Sequence, residues 1–169
     1  MALLEIKFVP EAVLRRKAHK VVSFDGDFQN LVVSMIETMR EAPGVGLAAP
    51  QIGESQRLIV AEYGDEEDEE APKRLYVLAN PEIVQHSEET EVGVEACLSV
   101  PELAGEVERW ERIIIKGQNR RGQIVKYKAA GWLARIFQHE MDHLDGVLYT
   151  DRATRIWKPS PEEVEFIKD

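Results

Sequence analysis

In the run Gln138-His139-Glu140-Met141-Asp142-His143, two histidines stand four residues apart with a glutamate directly after the first. Positions i and i+4 of a helix share one face, so His139 and His143 can grip one metal ion, with Glu140 placed to move protons on a metal-bound water. This spacing predicts a metal-dependent hydrolase. A catalytic metal usually takes three protein ligands and leaves one position for water, so a further ligand is required. Cys97, His19, His86 and many carboxylates are available. His19 sits in a basic stretch, residues 15–20, and His86 in a polar one, residues 85–88; both read as exposed surface. Cys97, within Glu95-Ala96-Cys97-Leu98-Ser99, is evenly balanced between a metal ligand and a small buried hydrophobe.

A second segment with chemical content is Gly44-Val45-Gly46-Leu47-Ala48-Ala49-Pro50-Gln51. Its opening fits the loose G-x-G-x-x-A dinucleotide pattern, but that pattern must follow a strand and open a helix. Here a helical stripe precedes it, and Pro50 and Gly53 oppose a helix after it. The glycines are better explained by a bare backbone approaching something closely, either another strand or an extended peptide.

These residues need elements to hold them. Leu31, Val32, Met35, Ile36 and Met39 follow Phe28 at helical spacing, with Asp25 or Asp27 as N-cap and a stop near residues 42–44. Apolar runs rich in β-branched residues at 57–61, 75–78, 112–116 and 123–127 predict strands, and the turn residues 119–122 join the last two as a hairpin. Helix returns over residues 131–144 with apolar side chains around most of its circumference, which predicts a central, buried helix closed by Gly146. Ser160-Pro161-Glu162-Glu163 announces a C-terminal helix through an N-cap, a first-turn proline and a capping-box glutamate. The expected fold is α+β: mostly antiparallel strands packed around the buried helix that carries the histidines.

A length of 169 residues suits a single domain spanning 1–169, with 44% hydrophobic and 31% charged residues, as in ordinary globular chains. The first residues lack the basic start and apolar run of a signal peptide, no stretch is long enough to span a bilayer, and the lone cysteine suits a reducing compartment. A cytoplasmic location without a membrane partner is expected. The net charge of −10 argues against DNA or RNA as the main substrate. Much of that charge lies in residues 65–70, expected to form a solvated loop.

Taken together, the three segments resemble the peptide deformylases, the family that removes the formyl group from the N-terminal methionine of new bacterial and organellar proteins. The family motifs G-x-G-L-A-A-x-Q, E-G-C-L-S and Q-H-E-x-D-H-L-x-G occur here in order, at Gly44 to Gln51, Glu95 to Ser99 and Gln138 to Gly146. One position departs: Ala96 stands where the family has glycine. The resemblance implies that Cys97, His139 and His143 hold one divalent metal, Fe²⁺ in the cell, with Ni²⁺, Co²⁺ or Zn²⁺ as alternatives. It implies that Glu140 acts as base and then acid, and that the Gln51 amide and the Leu98 N–H meet the developing oxyanion. Gly44, Val45 and Gly46 would pair with the backbone of an N-formyl-methionyl nascent peptide, and Ala96 would border it. If the family's glycine has φ > 0, alanine there is strained; if it is extended, the methyl costs little. Trp132 and Ile136, seven and three residues before His139, could line the methionine pocket, although core packing accounts for them equally well. Family members also dock on ribosomes through a basic C-terminal helix, a role the acidic segment from Ser160 to Asp169 does not suit. Two rivals remain: a metallopeptidase with His or Glu as third ligand, and a relative whose metal only holds the fold.

Overall fold

The computed structural model describes residues 3–64, 70 and 72–164; the acidic run, apart from its last residue, lies outside them, as does the end of the C-terminal segment. The first helix, α1, runs Gly26–Glu41, and the Asp25 carboxylate caps it by accepting from the Phe28 N–H at 3.0 Å. Five antiparallel strands form the main sheet: β1 (Gly46–Ala48), β2 (Leu58–Tyr63), β3 (Arg74–His86), β6 (Arg112–Gln118) and β7 (Ile124–Ala130), in the order β1-β2-β3-β6-β7. Between β3 and β6 the chain leaves to build a second sheet from β4 (Thr90–Cys97) and β5 (Val100–Trp110), completed by β8 (Arg155–Trp157). Helix α2 covers Gly131–Leu144, followed by the short helices α3 (Tyr149–Arg152) and α4 (Pro161–Val164).

Alternation along β2 sorts the two halves of the core. Ile59 and Ala61 join Ile136 and Phe137 of α2 on one face of the main sheet. Leu58 and Val60 face the other way, toward Val32, Met35 and Met39 of α1. The main sheet is therefore held between two helices, and α2 is central as expected, with nine of its fourteen residues buried. Its buried set includes Arg135, Gln138, His139, Glu140 and His143, so polar groups occupy what a purely hydrophobic pattern would make core.

Expectation and structure differ at several strands. The strand expected over 75–78 continues to His86: a register shift between Ala79 and Glu82 accommodates Pro81 as a bulge, and a second shift follows Ile83. β4 and β5 lay outside the expected strands altogether; their many charged residues conceal the period of two. The hairpin of β6 and β7 pairs Arg112 with Ala130 through Gln118 with Ile124, as its turn residues predict. At α4 the capping box forms in both directions: Ser160 Oγ accepts from Glu163 N, and Glu163 Oε1 accepts from Ser160 N. Among the described residues no helix is long and apolar enough to cross a membrane.

The C-terminal end of α2 is pinned from several directions. Its Leu144 carbonyl accepts from Ala18 N at 2.8 Å and from Arg57 Nη1 at 3.0 Å. Gly146 then turns the chain with φ 74°, and a Cβ there would lie 2.5 Å from the Arg15 carbonyl oxygen. Gly146→Ala therefore meets both a left-handed backbone, costing roughly 1–2 kcal/mol, and a backbone clash. We expect its thermal midpoint to fall by at least several degrees, as read by circular dichroism; an unchanged midpoint would refute this account of the turn.

Candidate metal centre

Cys97 ends β4, and the pair Leu98-Ser99 turns the chain into β5, where Val100 faces it in register. His139 and His143 come from α2. One donor atom from each of the three lies within 4.8 Å of the others, and all three side chains are buried. Cys97 Sγ is 3.4 Å from His143 Nε2, while His139 Nδ1 is bound by Glu95 Oε1 at 2.8 Å, which turns its Nε2 toward the sulfur. One sulfur and two imidazole nitrogens, with a carboxylate fixing one imidazole from behind, fit a four-coordinate transition-metal site that keeps a position open. His19 and His86 are exposed and stand apart from this cluster; the His86 ring lies flat on Trp110.

Glu95 is the polar centre behind the site. Its carboxylate receives Arg109 Nε and Nη2 at 2.9 and 2.8 Å and Arg135 Nη1 at 2.6 Å, besides His139. Arg109 also donates to Asp142 at 2.6 Å, and Arg135 donates to the carbonyls of Val107 and Glu91. Burial opposes the ionised form of Glu95, yet the hydrogen bonds from Arg109 and His139 outweigh it and hold the carboxyl well below its ordinary range. The same competition leaves Arg109 firmly charged. Burial likewise opposes the charged form of His139, but Cys97 and Glu95 draw its pKa well up. For His143, burial dominates and the charges on His139 and Arg109 add to it, so its imidazole is held neutral. Gly93 makes room for this arrangement: a Cβ there would stand 2.8 Å from the Arg135 guanidinium carbon.

Glu140 is buried beside the ligands, pressed against β1. A Cβ on Gly46 would be 2.6 Å from Glu140 Oε2, so the close approach that the glycine segment predicts is to the glutamate side chain of α2. Gln51 has its amide orientation set by Ala48 N, which donates to Oε1 at 2.9 Å; its Nε2 then points at Cys97 Sγ and Ser99 Oγ, 3.5 and 3.2 Å away. The N-terminal segment straps both loops in place: Lys7 N donates to the Gln51 carbonyl and Val9 N to the Ser99 carbonyl. Leu98 is half-buried, its side chain against Gly44. Val45 and Trp132 pack at the margin of the α2 cluster, and Ile136 lies inside it. Among the described residues the non-glycine positions with positive φ are Asn80 and Glu102; Ala96 is not one of them, so its methyl sits on unstrained backbone.

Sequence reasoning left Glu95, Arg109, Arg135 and Tyr149 without roles. Glu95 had one signal, its place at the head of the motif that runs to Ser99. Tyr149, almost fully buried, stacks its ring on His139 at 5.9 Å and has no comparable signal.

A buried Cys/His/His donor set beside a glutamate, in an α+β fold, defines a metal-dependent hydrolase. Comparison with known proteins carries this further. The family model described as polypeptide deformylase matches residues 3–158. A peptide deformylase of Symbiobacterium thermophilum is 48% identical over 98% of this chain and 73% of its own length. That of Desulforudis audaxviator is 45% identical over 94% of this chain and 98% of its own. The crystal structure of the Thermotoga maritima peptide deformylase superposes with a TM-score of 0.85 at 43% identity, covering 92% of this chain and 100% of that one. A Met-Ala-Ser-bound peptide deformylase from Acinetobacter baumannii gives a TM-score of 0.82 at 36% identity, covering 89% and 98% of the two chains. The chain belongs to the polypeptide deformylase family, metal-dependent hydrolases that remove the N-formyl group from newly made polypeptides.

Two substitutions probe the geometry. Glu95→Gln leaves two buried arginines short of a counter-charge, and we expect a loss of about 3–5 kcal/mol in stability and roughly 10–100-fold weaker metal binding. A denaturation midpoint and metal affinity equal to the parent's would remove Glu95 from this role. Gly46→Ala must displace the Glu140 carboxylate, so kcat should drop on the order of 100-fold with metal content retained. Parental kcat in that variant would show that the close approach is immaterial.

Proposed function

We propose that this chain releases formate from N-formyl-methionyl nascent peptides through a metal held by Cys97, His139 and His143, with Glu140 as the proton-transfer group. The observation that carries these assignments is the convergence of the three donor atoms within 4.8 Å, with Glu140 lying between them and β1. A bound divalent ion would lower the pKa of a water and polarise the formyl carbonyl. Fe²⁺ is the proposed resident ion, supported by the family resemblance and by the soft thiolate in a mixed sulfur and imidazole donor set, which Ni²⁺, Co²⁺ or Zn²⁺ also suits.

The remaining work falls to the chain's own residues. Glu140 takes a proton from the attacking water and returns it to the departing α-amine as the C–N bond breaks and a C–O bond forms. The oxygen of the formyl group gains negative charge in this step, and the Gln51 amide and the Leu98 N–H, both anchored at the sulfur ligand's turn, are positioned as its donors. Gln51 is suited to this because its carbonyl end is already engaged by Ala48 N, leaving the nitrogen turned to the site. β1 is the terminal strand of its sheet, so the segment Gly44, Val45, Gly46 offers a free edge to an extended peptide. Val45 and Trp132, half-buried around Ile136, form an apolar margin for the methionine side chain. Met-Ala-Ser in the Acinetobacter neighbour supports a methionine-first peptide at such a site. Ala96, unstrained, borders that peptide without impairing the ligand beside it. The single cysteine suits a cytoplasmic setting in which Cys97 stays reduced.

The test is formate release from a formyl-methionyl tripeptide by protein loaded anaerobically with Fe²⁺, or with Ni²⁺. We expect turnover that chelation abolishes and metal restores, and a loss on the order of 10²–10⁴-fold in Glu140→Ala at equal metal content. Metal-loaded parent protein that releases no formate would overturn the assignment; a Cys97→Ser variant with full metal and activity would transfer the third-ligand role elsewhere.

A further inference from the structure

Arg135 stands on the face of α2 that also carries Trp132, Ile136 and His139, and it is only 5% exposed. Its guanidinium carbon lies over the Trp132 ring, 5.7 Å from the ring centre. We infer that Arg135 is a positioning residue for substrate specificity: through this contact it fixes the Trp132 indole, and with it the reach of the methionine pocket. This role rests on the reading of Val45, Trp132 and Ile136 as the surroundings of the methionine side chain.

The arginine is held more firmly than the indole. Its Nη1 donates to Glu95 Oε2 at 2.6 Å and to the Val107 carbonyl at 2.9 Å, and its Nη2 donates to the Glu91 carbonyl at 2.7 Å. The donors of a guanidinium lie in its plane, so these bonds leave its faces free for an aromatic ring. Trp132 is half-buried in the first turn of α2, whose N-cap residue Ala130 supplies no side-chain hydrogen bond. Gly131 N, donating to the Glu111 carbonyl at 2.9 Å, ties the backbone there but does not set where the indole points. Packing at the margin of the α2 cluster is not directional either. A cation out of water attracts a ring face more strongly than an exposed one, so the buried guanidinium supplies the direction that cap and packing lack.

One carboxylate then serves the metal donors and the pocket together. Glu95 Oε1 holds His139 Nδ1, and Glu95 Oε2 holds Arg135. The spacing between the donor atoms, where the formyl group reacts, and the indole, which the side chain of the same residue meets, is thereby fixed through a single rigid group. A wall at a fixed distance favours a long unbranched side chain over a short one that does not reach it. With its charge met by Glu95 and a face against the indole, Arg135 brings no unpaired charge to the apolar margin.

The experiment uses the full, metal-loaded chain with formyl-Met-Ala-Ser, formyl-norleucyl-Ala-Ser and formyl-Ala-Ala-Ser. In Trp132→Leu we expect the preference for the methionyl over the alanyl peptide, taken as kcat/KM, to fall about tenfold, chiefly through KM. Arg135→Lys keeps a charge for Glu95 but loses the planar face, and its preference should fall alike. The double variant should fall no further than the worse single one, because the two side chains act as a unit. Fluorinated tryptophans at residue 132 weaken the ring's attraction for a cation while nearly keeping its shape, so log KM for the methionyl and norleucyl peptides should rise with each added fluorine. A purely structural indole would not respond to fluorine. This series leaves Arg135 in place and therefore decides the matter even where Arg135→Lys fails to fold. A KM that stays flat across the series, or rises for the methionyl peptide alone through its sulfur, overturns the role of Arg135 while the Trp132→Leu loss still upholds the pocket. Equal losses on the methionyl and alanyl peptides in Arg135→Lys also overturn it, since the arginine then acts through the metal donors. An unchanged preference in Trp132→Leu removes the pocket assignment itself, and this role with it.

Discussion

The buried carboxylate of Glu95 ties the three-stranded sheet to helix α2. Glu95 belongs to β4, Arg109 to β5, and Arg135 and His139 to α2, so one side chain fixes three elements at once. The three candidate metal donors are divided in the same way, with sulfur from β4 and both imidazoles from α2. Hydrophobic packing alone sets α2 against the main sheet, but packing is nearly indifferent to small slides along an apolar surface. Directional, charge-assisted hydrogen bonds are not indifferent. Removing these charges from water costs several kcal/mol each, and a well-packed apolar substitute could match their stability. Only the charged version specifies where His139 stands relative to Cys97.

Close backbone approach is the second constraint, and it follows from the first. With α2 held by Glu95, its Glu140 side chain lies directly on β1, and its Arg135 guanidinium passes over β4. Both crossings leave no room for a β-carbon, and both are made at glycines, Gly46 and Gly93. Gly46 thus serves the helix as much as the strand edge: it lets the Glu140 carboxylate and the edge of β1 share one place. The strap of Lys7 and Val9 acts from the other side, holding the Gln51 and Ser99 loops by backbone hydrogen bonds that any residue types could make.

That dependence on backbone explains what the sequence could and could not disclose. The helix from Gly131 to Leu144 was legible in its period, and the two histidines in their spacing; β2 followed from its β-branched apolar run, the β6–β7 hairpin from its turn, and the capped helices from cap chemistry. β4 and β5 were not legible, because charged residues occupy both faces of their pattern, some exposed and some, like Glu95 and Arg109, buried against each other. A buried ion pair has no one-dimensional mark: each partner, taken singly, looks like surface. Cys97 was undecided by its neighbours and was read as a ligand only through the ordered motifs.

Charge balance connects the polar centre to the metal. Glu95, Glu140, Asp142 and a Cys97 thiolate would bring negative charge into or beside the buried site, met by Arg109 and Arg135 and, at Asp142, by Arg152 as well. The balance is negative without a cation, and a bound metal ion or a proton would offset it. His139 is where such a proton settles, held between the sulfur and Glu95, while burial keeps His143 neutral. Metal and proton therefore compete for the same negative pocket: a ligated ion would need Cys97 as thiolate and an unprotonated His139 Nε2, so metal affinity would be linked to pH through both. Glu95 limits how far that competition can run, since it stays ionised on either side of the exchange and keeps Nδ1 engaged. With Nδ1 held by Glu95, the ring keeps its Nε2 turned toward Cys97.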